Sequence, residues 1–202
     1  MKRIDNENFN RRISVFQDID YPMNPIEDWD MAFQFHLKWD REFNIVSKDS
    51  ECPVVEWGKT GNENGAKMKP GLFALPVYAY VHSGIVFSLS PFSCPWDSGL
   101  AGFIYLEKKQ FCKDFNLKRF NPIKALKIAK KEIEVLNQWV SGDIWGYKIE
   151  IRKDENSVWE VEDSCGGFFG KDGIEDALKE IDAYDGKSSV IADDTGAEYL
   201  FD

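Results

Sequence analysis

LFALPVYAYVHSGIVFSLS, residues 72–90, is the stretch whose reading decides the fold. Leu72 to Val81 is an uncharged apolar and aromatic run. It is far shorter than the roughly 20 residues of a membrane helix. Its aromatic and β-branched content favours a strand. His82-Ser83-Gly84 is turn chemistry, and Ile85 to Ser90 returns as a second strand, so the stretch reads as a β-hairpin. Pro76 has no N–H to give to a ladder, which places it at an edge or a bulge.

Strand patterning continues outward from this hairpin. Upstream, MAFQFHLKW (31–39) alternates Met31, Phe33, Phe35, Leu37 and Trp39 with Ala32, Gln34, His36 and Lys38, a half-buried strand. Asp18 to Asp28, with Pro22 and Pro25, reads as a loop, and Ile13 to Phe16 as a short first strand. Residues 58–71, GKTGNENGAKMKPG, read as a mobile loop. Downstream, PFSCPWDSG (91–99) is irregular and AGFIYLEK (101–108) resumes as a strand.

Asn121 and Pro122 then offer an N-cap and a first helical residue. Leu126, Ala129, Ile133, Leu136 and Val140 form one apolar stripe, and Ser141-Gly142 is the stop. Trp145, Tyr147, Ile149 and Ile151 alternate in a strand. VWEVED (158–163) returns antiparallel to it, with Trp159 and Val161 expected toward the core. SCGGFFG (164–170) reads as a Gly-rich loop, and residues 173–184 as a short helix. A short strand is expected at Ser189 to Ile191.

The expected class is α+β: a mostly antiparallel twisted sheet with one long and one short helix packed on it. A single domain is expected over 1–184, followed by an acidic tail over 185–202. The composition agrees with a packed core, since 43% of the 202 residues are hydrophobic and 14% aromatic. That excludes a disordered chain and a coiled-coil rod. Trp96, Trp139, Trp145 and Trp159 are placed like core aromatics.

The formal net charge is −10 and the isoelectric point about 4.8, which argues against simple nucleic-acid binding through a basic surface. The charge is uneven. Residues 154–202 hold 15 acids and three lysines, a net −12, and residues 105–131 hold nine bases and two acids, a net +7. If the two regions pair within the fold, the asymmetry says little about partners. If they do not, it marks interaction surfaces. The lysines at 124, 127, 130 and 131 lie off the apolar stripe, and a solvated helix face is their simplest reading.

Cys52, Cys94, Cys112 and Cys165 form no CxxC pair, and His36 and His82 are the two histidines, so neither a zinc site nor a disulfide framework is expected. The polar N-terminal residues lack an apolar signal core, so a cytoplasmic location is expected. No cofactor is expected.

Residues 82–99 gather His82, Ser83, Cys94, Asp97 and Ser98. If the hairpin brings them together, Cys94 is a candidate nucleophile, His82 its base and Asp97 the orienter, as in a small cysteine-dependent hydrolase or transferase. The competing structural reading makes 82–84 a turn, Cys94 a small buried group and Asp97 a turn cap. A second cluster, Asp163-Ser164-Cys165-Gly166-Gly167, is either a phosphate cradle or a hairpin exit. Asp143 could join Asp97 or Asp163 in a carboxylate site for a divalent ion, but nothing in the spacing demands it and no metal site is expected.

PVYAYVHSGIVFSLSPFSCPWDSGLAGFIY (76–105) resembles the signature of a family of small uncharacterised proteins carried by bacteriophages and other mobile elements. The resemblance extends to DWDMAFQFH (28–36), SGDIWGY (141–147) and DSCGGFFG (163–170). The family's cysteine, tryptophan and Asp-Ser-Gly pattern falls on Cys94, Trp96, Asp97, Ser98 and Gly99. This chain departs from it at Gly166, where the family often has Trp, and in its long 58–71 loop. The resemblance implies a phage-type context and carries no catalytic role over to this chain. By analogy it implies a counter-defence protein that binds and inhibits a host defence protein, such as a CRISPR nuclease. An acidic surface can occupy a basic nucleic-acid channel. Glu160, Glu162, Asp172, Glu175 and Asp176 are the candidate contacts, with no direct nucleic-acid binding and no membrane partner expected.

Overall fold

The computed structural model describes residues 11–18, 23–39, 42–48, 50–56, 67–154, 156–185, 190–192 and 198–199. In chain order the elements begin with strand β1 (Arg11–Gln17), helix α1 (Pro25–Asp28), β2 (Gln34–Trp39), β3 (Phe43–Val46), β4 (Val54–Glu56) and β5 (Lys67–Met68). Then come β6 (Leu72–Val81), β7 (Ile85–Ser88), β8 (Ser98–Glu107), α2 (Lys108–Asp114) and α3 (Pro122–Ser141). The last are β9 (Ile144–Ile151), β10 (Glu160–Phe169), α4 (Gly170–Asp185), β11 (Val190–Ala192) and β12 (Glu198–Tyr199). The class is α+β with mostly antiparallel pairing, as the sequence implies.

The chain divides into two compact units. The described residues up to Met23 and those from Gly142 onward form one, and Asn24–Ser141 form the other. Each holds a five-stranded sheet.

The second unit is built on β3-β2-β8-β6-β7, antiparallel throughout. The hairpin is β6–β7, with Val81 opposite Ile85. Period 2 in 31–39 sends Phe33, Phe35 and Leu37 inward, all essentially unexposed. Burying each contributes roughly 1.5–3 kcal/mol. α3 lays Ala125, Ala129, Ile133 and Leu136 on this face. Leu126, expected in that stripe, is exposed, and Ala125 takes its place.

Pro76 lies opposite Phe103, one residue from a bulge at Val77/Tyr78, and β7 reaches only as far as Tyr78, so the missing N–H costs no ladder bond to β7. Across that bulge, Gly102 holds φ +148° against the backbone carbonyl of His36, where no Cβ fits. α1 occupies part of the expected 18–28 loop. Asn24 caps it through Oδ1 to the Ile26 N–H (3.0 Å), with Pro25 in the first turn. α2 is a second addition to the sequence reading. Most of the expected 58–71 loop, residues 58–66, lies outside the described residues, and Lys67–Met68 pair with β4.

The first unit is built on β10-β9-β1-β11-β12, with β1–β11 its one parallel pair among the described strands. Ile13, Tyr147 and Ile149 point to α4 and meet Ile174 and Leu178. Two sequence expectations change here. Residues 164–169 are strand, not loop, so β10 runs unbroken into α4 through irregularities at Val161/Asp163 and Cys165/Phe168. Val161 is 58% exposed, because it sits opposite Glu150, on the polar face away from α4. Trp159 is half-buried, with the guanidinium groups of Arg12 and Arg152 at 4.5 and 4.6 Å from its ring. Charge on an aromatic face takes the place of the apolar packing expected for it. The expected strand near Ser189–Ile191 is β11.

Candidate functional site

β6–β8 pairing joins the ends of the 82–99 segment. Tyr80 lies opposite Ser98, and the Val81 N–H donates to the Asp97 carbonyl (2.7 Å). The Ser98 hydroxyl donates to the Cys94 carbonyl and closes the loop. This puts His82, Cys94 and Asp97 in one cluster. Asp97 is its centre: Oδ2 is 3.5 Å from His82 Nδ1 and 3.8 Å from Cys94 Sγ. The order is thiol, carboxylate, imidazole. A nucleophilic cysteine needs the imidazole against sulfur. Here a carboxylate takes that position. Among the described residues no hydrogen bond joins Cys94 to His82.

Trp96 crowns this loop and is 91% exposed, contrary to the core position expected for it. Two prolines and the Cys94–Ser98 closure leave its side chain no wall to pack on. The signal was legible in hindsight, since a Trp inside PFSCPWDSG has no periodic neighbour. Below the loop, Tyr80 rests 5.8 Å from Phe92 and 6.3 Å from His82, ring to ring.

A groove of about 550 Å³ runs between β7 and α3. Inside it Asn137 accepts from the Phe87 N–H (2.7 Å) and donates to the Phe87 carbonyl (3.0 Å). One amide side chain thereby occupies the outer edge of β7 as a neighbouring strand would. Elsewhere on α3, Glu132 accepts from the N–H groups of Ala32 (2.7 Å) and Phe33 (3.2 Å). Burial pushes its carboxyl up to about 7, against the pull of those two bonds.

In the first unit the Gly166–Gly167 bulge holds an anion, and it is the chain's own. Asp18 Oδ2 accepts from the Gly167 N–H (3.0 Å) and lies against Gly166 where a Cβ would be. Gly167 takes φ +79° there. The N–H that could face a phosphate is thus already in use. Asp143 accepts from Trp145 Nε1 (2.7 Å), and among the described residues no three His, Cys, Asp or Glu side chains are grouped as a metal site.

The acidic candidates fall on two elements. β10 is the sheet's edge strand, and its residues 160–166 are all exposed. Glu160 and Asp163 stand opposite Ile151 and Ile149, on the side α4 covers. Glu162 is 3.9 Å from Arg11. Burial, then the charges of Asp163 and Cys165, hold the Tyr147 hydroxyl above its usual range. On α4, Asp172, Glu175 and Asp176 share one face with Lys179, which bonds Asp176 (3.0 Å). That bond and the three surrounding carboxylates raise the Lys179 ammonium. The acids of strand and helix are thus brought together in one unit.

Charge therefore segregates by unit. The first carries ten bases and 21 acids, a net −11, and the second 15 bases and 14 acids, a net +1. Among the described residues no helix is long and apolar enough to cross a membrane. No protein-family model, curated protein or solved structure matches this chain.

Proposed function

We propose that this chain is a binding protein whose acidic unit docks on a basic surface of a partner, in the manner of a phage-type counter-defence protein that inhibits a host defence protein such as a CRISPR nuclease. The observation that carries this reading is the exposed acidic edge: seven consecutive exposed residues of β10, bearing Glu160, Glu162 and Asp163, in the same unit as the α4 acids. Two irregularities and three carboxylates make this edge a poor template for strand addition. It is suited to recognition by charge, and a run of fixed carboxylates meets the same lysines and arginines that a phosphate backbone meets. The resemblance to mobile-element proteins supplies the context. The enzyme reading gains no support from a loop in which a carboxylate faces the thiol.

The test is capture by tagged full-length protein from a bacterial host lysate, with the captured protein identified by mass spectrometry and assayed for inhibition. The comparison protein carries Glu160→Gln, Glu162→Gln, Asp172→Asn, Glu175→Gln and Asp176→Asn. The expected result is a basic partner, inhibited by the unsubstituted chain and retained at least about tenfold less by the variant. Equal capture and inhibition by the variant removes the acidic surface from the mechanism.

A further inference from the structure

We propose that the surface formed by α2, residues 115–121 and the first half of α3 binds the phosphate backbone of a nucleic acid. It rests on residues separate from the acidic unit and stands or falls independently of the reading above.

Residues 105–131 carry nine bases, eight of them lysine, against Glu107 and Asp114. None of the nine forms an ion pair among the described residues. Asp114 is already held by the Gln110 amide (2.6 Å). Lys109 and Lys113 on α2, Lys118 and Arg119 between the helices, and Lys127, Lys130 and Lys131 on α3 are all exposed. The first turn of α3 contains no acid, so the positive end of its dipole adds to the same field.

The two helices present their bases together because an aromatic floor joins them. Phe111 meets Phe115 at 4.6 Å and Phe120 at 5.6 Å. The Lys124 ammonium lies 4.3 Å over Phe115, and that of Lys108 lies 5.8 Å over Phe120. Cation–π contact positions a charge without neutralising it.

The chemistry of the patch selects among polyanions. A membrane needs an apolar stripe to insert, but Ala125, Ala129, Ile133 and Leu136 of α3 are buried, leaving the pair Ile123 and Leu126 as its exposed large apolar side chains, too few for insertion. Protein interfaces are depleted in lysine and anchored by Trp, Tyr or Arg. Residues 106–131 contain no Trp or Tyr and a single Arg. Lysine point charges on an exposed helix suit sequence-independent phosphate contacts. The net charge of −10 that argues against nucleic acid belongs to the other unit.

The experiment is fluorescence anisotropy of a labelled DNA duplex of about 25 base pairs, titrated with the full chain from about 50 to 200 mM salt. With about four phosphate contacts, log K falls against log salt with a slope near −3.6. Lys127→Gln, Lys130→Gln and Lys131→Gln together shrink that slope by about 2.7 and weaken binding at least about tenfold at the lowest salt. Arginine at the same three positions retains binding, which separates lost charge from lost folding. No binding by the unsubstituted chain at the lowest salt overturns the proposal, as does an unchanged slope in the glutamine variant. Poly-glutamate of matched charge binding as tightly as the duplex also overturns it, and assigns the patch to an acidic protein.

Discussion

Glu132→Gln is the substitution that most directly tests the balance of forces in the second unit. The carboxyl of Glu132 is pushed up from 4.5 to about 7 by burial, which outweighs two backbone N–H donors. Between these values the folded chain holds a proton that the unfolded chain has released. Stability contributed by this group is therefore fully present below pH 4.5 and is lost as pH rises through 7. The whole effect is on the order of 3 kcal/mol, most of it between pH 5 and pH 8. Glutamine cannot ionise. It keeps one acceptor for Ala32 or Phe33 and turns an NH₂ toward the other N–H, a loss of about 1 kcal/mol at pH 5. At pH 8 it spares the fold a buried carboxylate and becomes the more stable protein by about 1 kcal/mol or more. The two stability curves cross. Urea unfolding at pH 5, 6, 7 and 8, followed by tryptophan fluorescence, gives both. Titrations common to the two proteins cancel in the difference. A difference constant to within about 0.5 kcal/mol over this range refutes the reasoning.

Three further perturbations have defined outcomes. Gly102→Ala drives a methyl into the His36 carbonyl at φ +148° and lowers unfolding free energy by about 2–4 kcal/mol, read from the urea midpoint. Phe35→Ala empties a fully buried site and costs about 3–5 kcal/mol, seen as a lowered thermal midpoint. Asn137→Ala removes both bonds to Phe87 and costs about 1–3 kcal/mol; it also opens the β7 edge, so light scattering rises with protein concentration in the variant and not in the parent.

Residues 31–39, 72–90 and 122–141 were legible because each has a single clear period and a chemical stop. The period-2 run 31–39 put three side chains in the core as written. The reading failed where a local signal competes with a tertiary one. Gly166-Gly167 spells a loop, yet β9 pairs Cys165 before it and Phe168 after it and Asp18 makes the contact that only glycine leaves room for, so the strand continues through a bulge. Val161 follows the alternation of its own strand, but its register sets it against Glu150 on the polar face. At the candidate site, sequence proximity correctly gathered His82, Cys94 and Asp97. It could not say which of them stands between the others, and that order decides the chemistry. Glu132 and Asn137 carried no sequence signal, since each looks like an ordinary polar residue of a helix until the backbone groups it serves are placed beside it.

A net charge is a sum, and a contact surface is local. At physiological salt the Debye length is about 8 Å, so a polyanion touching α3 responds chiefly to the charges within one or two side-chain lengths of it. From Tyr105 to Lys131 the count is nine bases against Glu107 and Asp114, and on α3 the exposed Glu134 follows one turn after Lys130. Beyond that range the −10 of the whole chain is what remains, and it repels the same ligand. The segregation of charge between the two units makes both statements true of one molecule. An acidic pI excludes a protein that is drawn to nucleic acid from afar. It does not exclude one that holds nucleic acid at a single face, and the unpaired lysines of α2 and α3 form such a face.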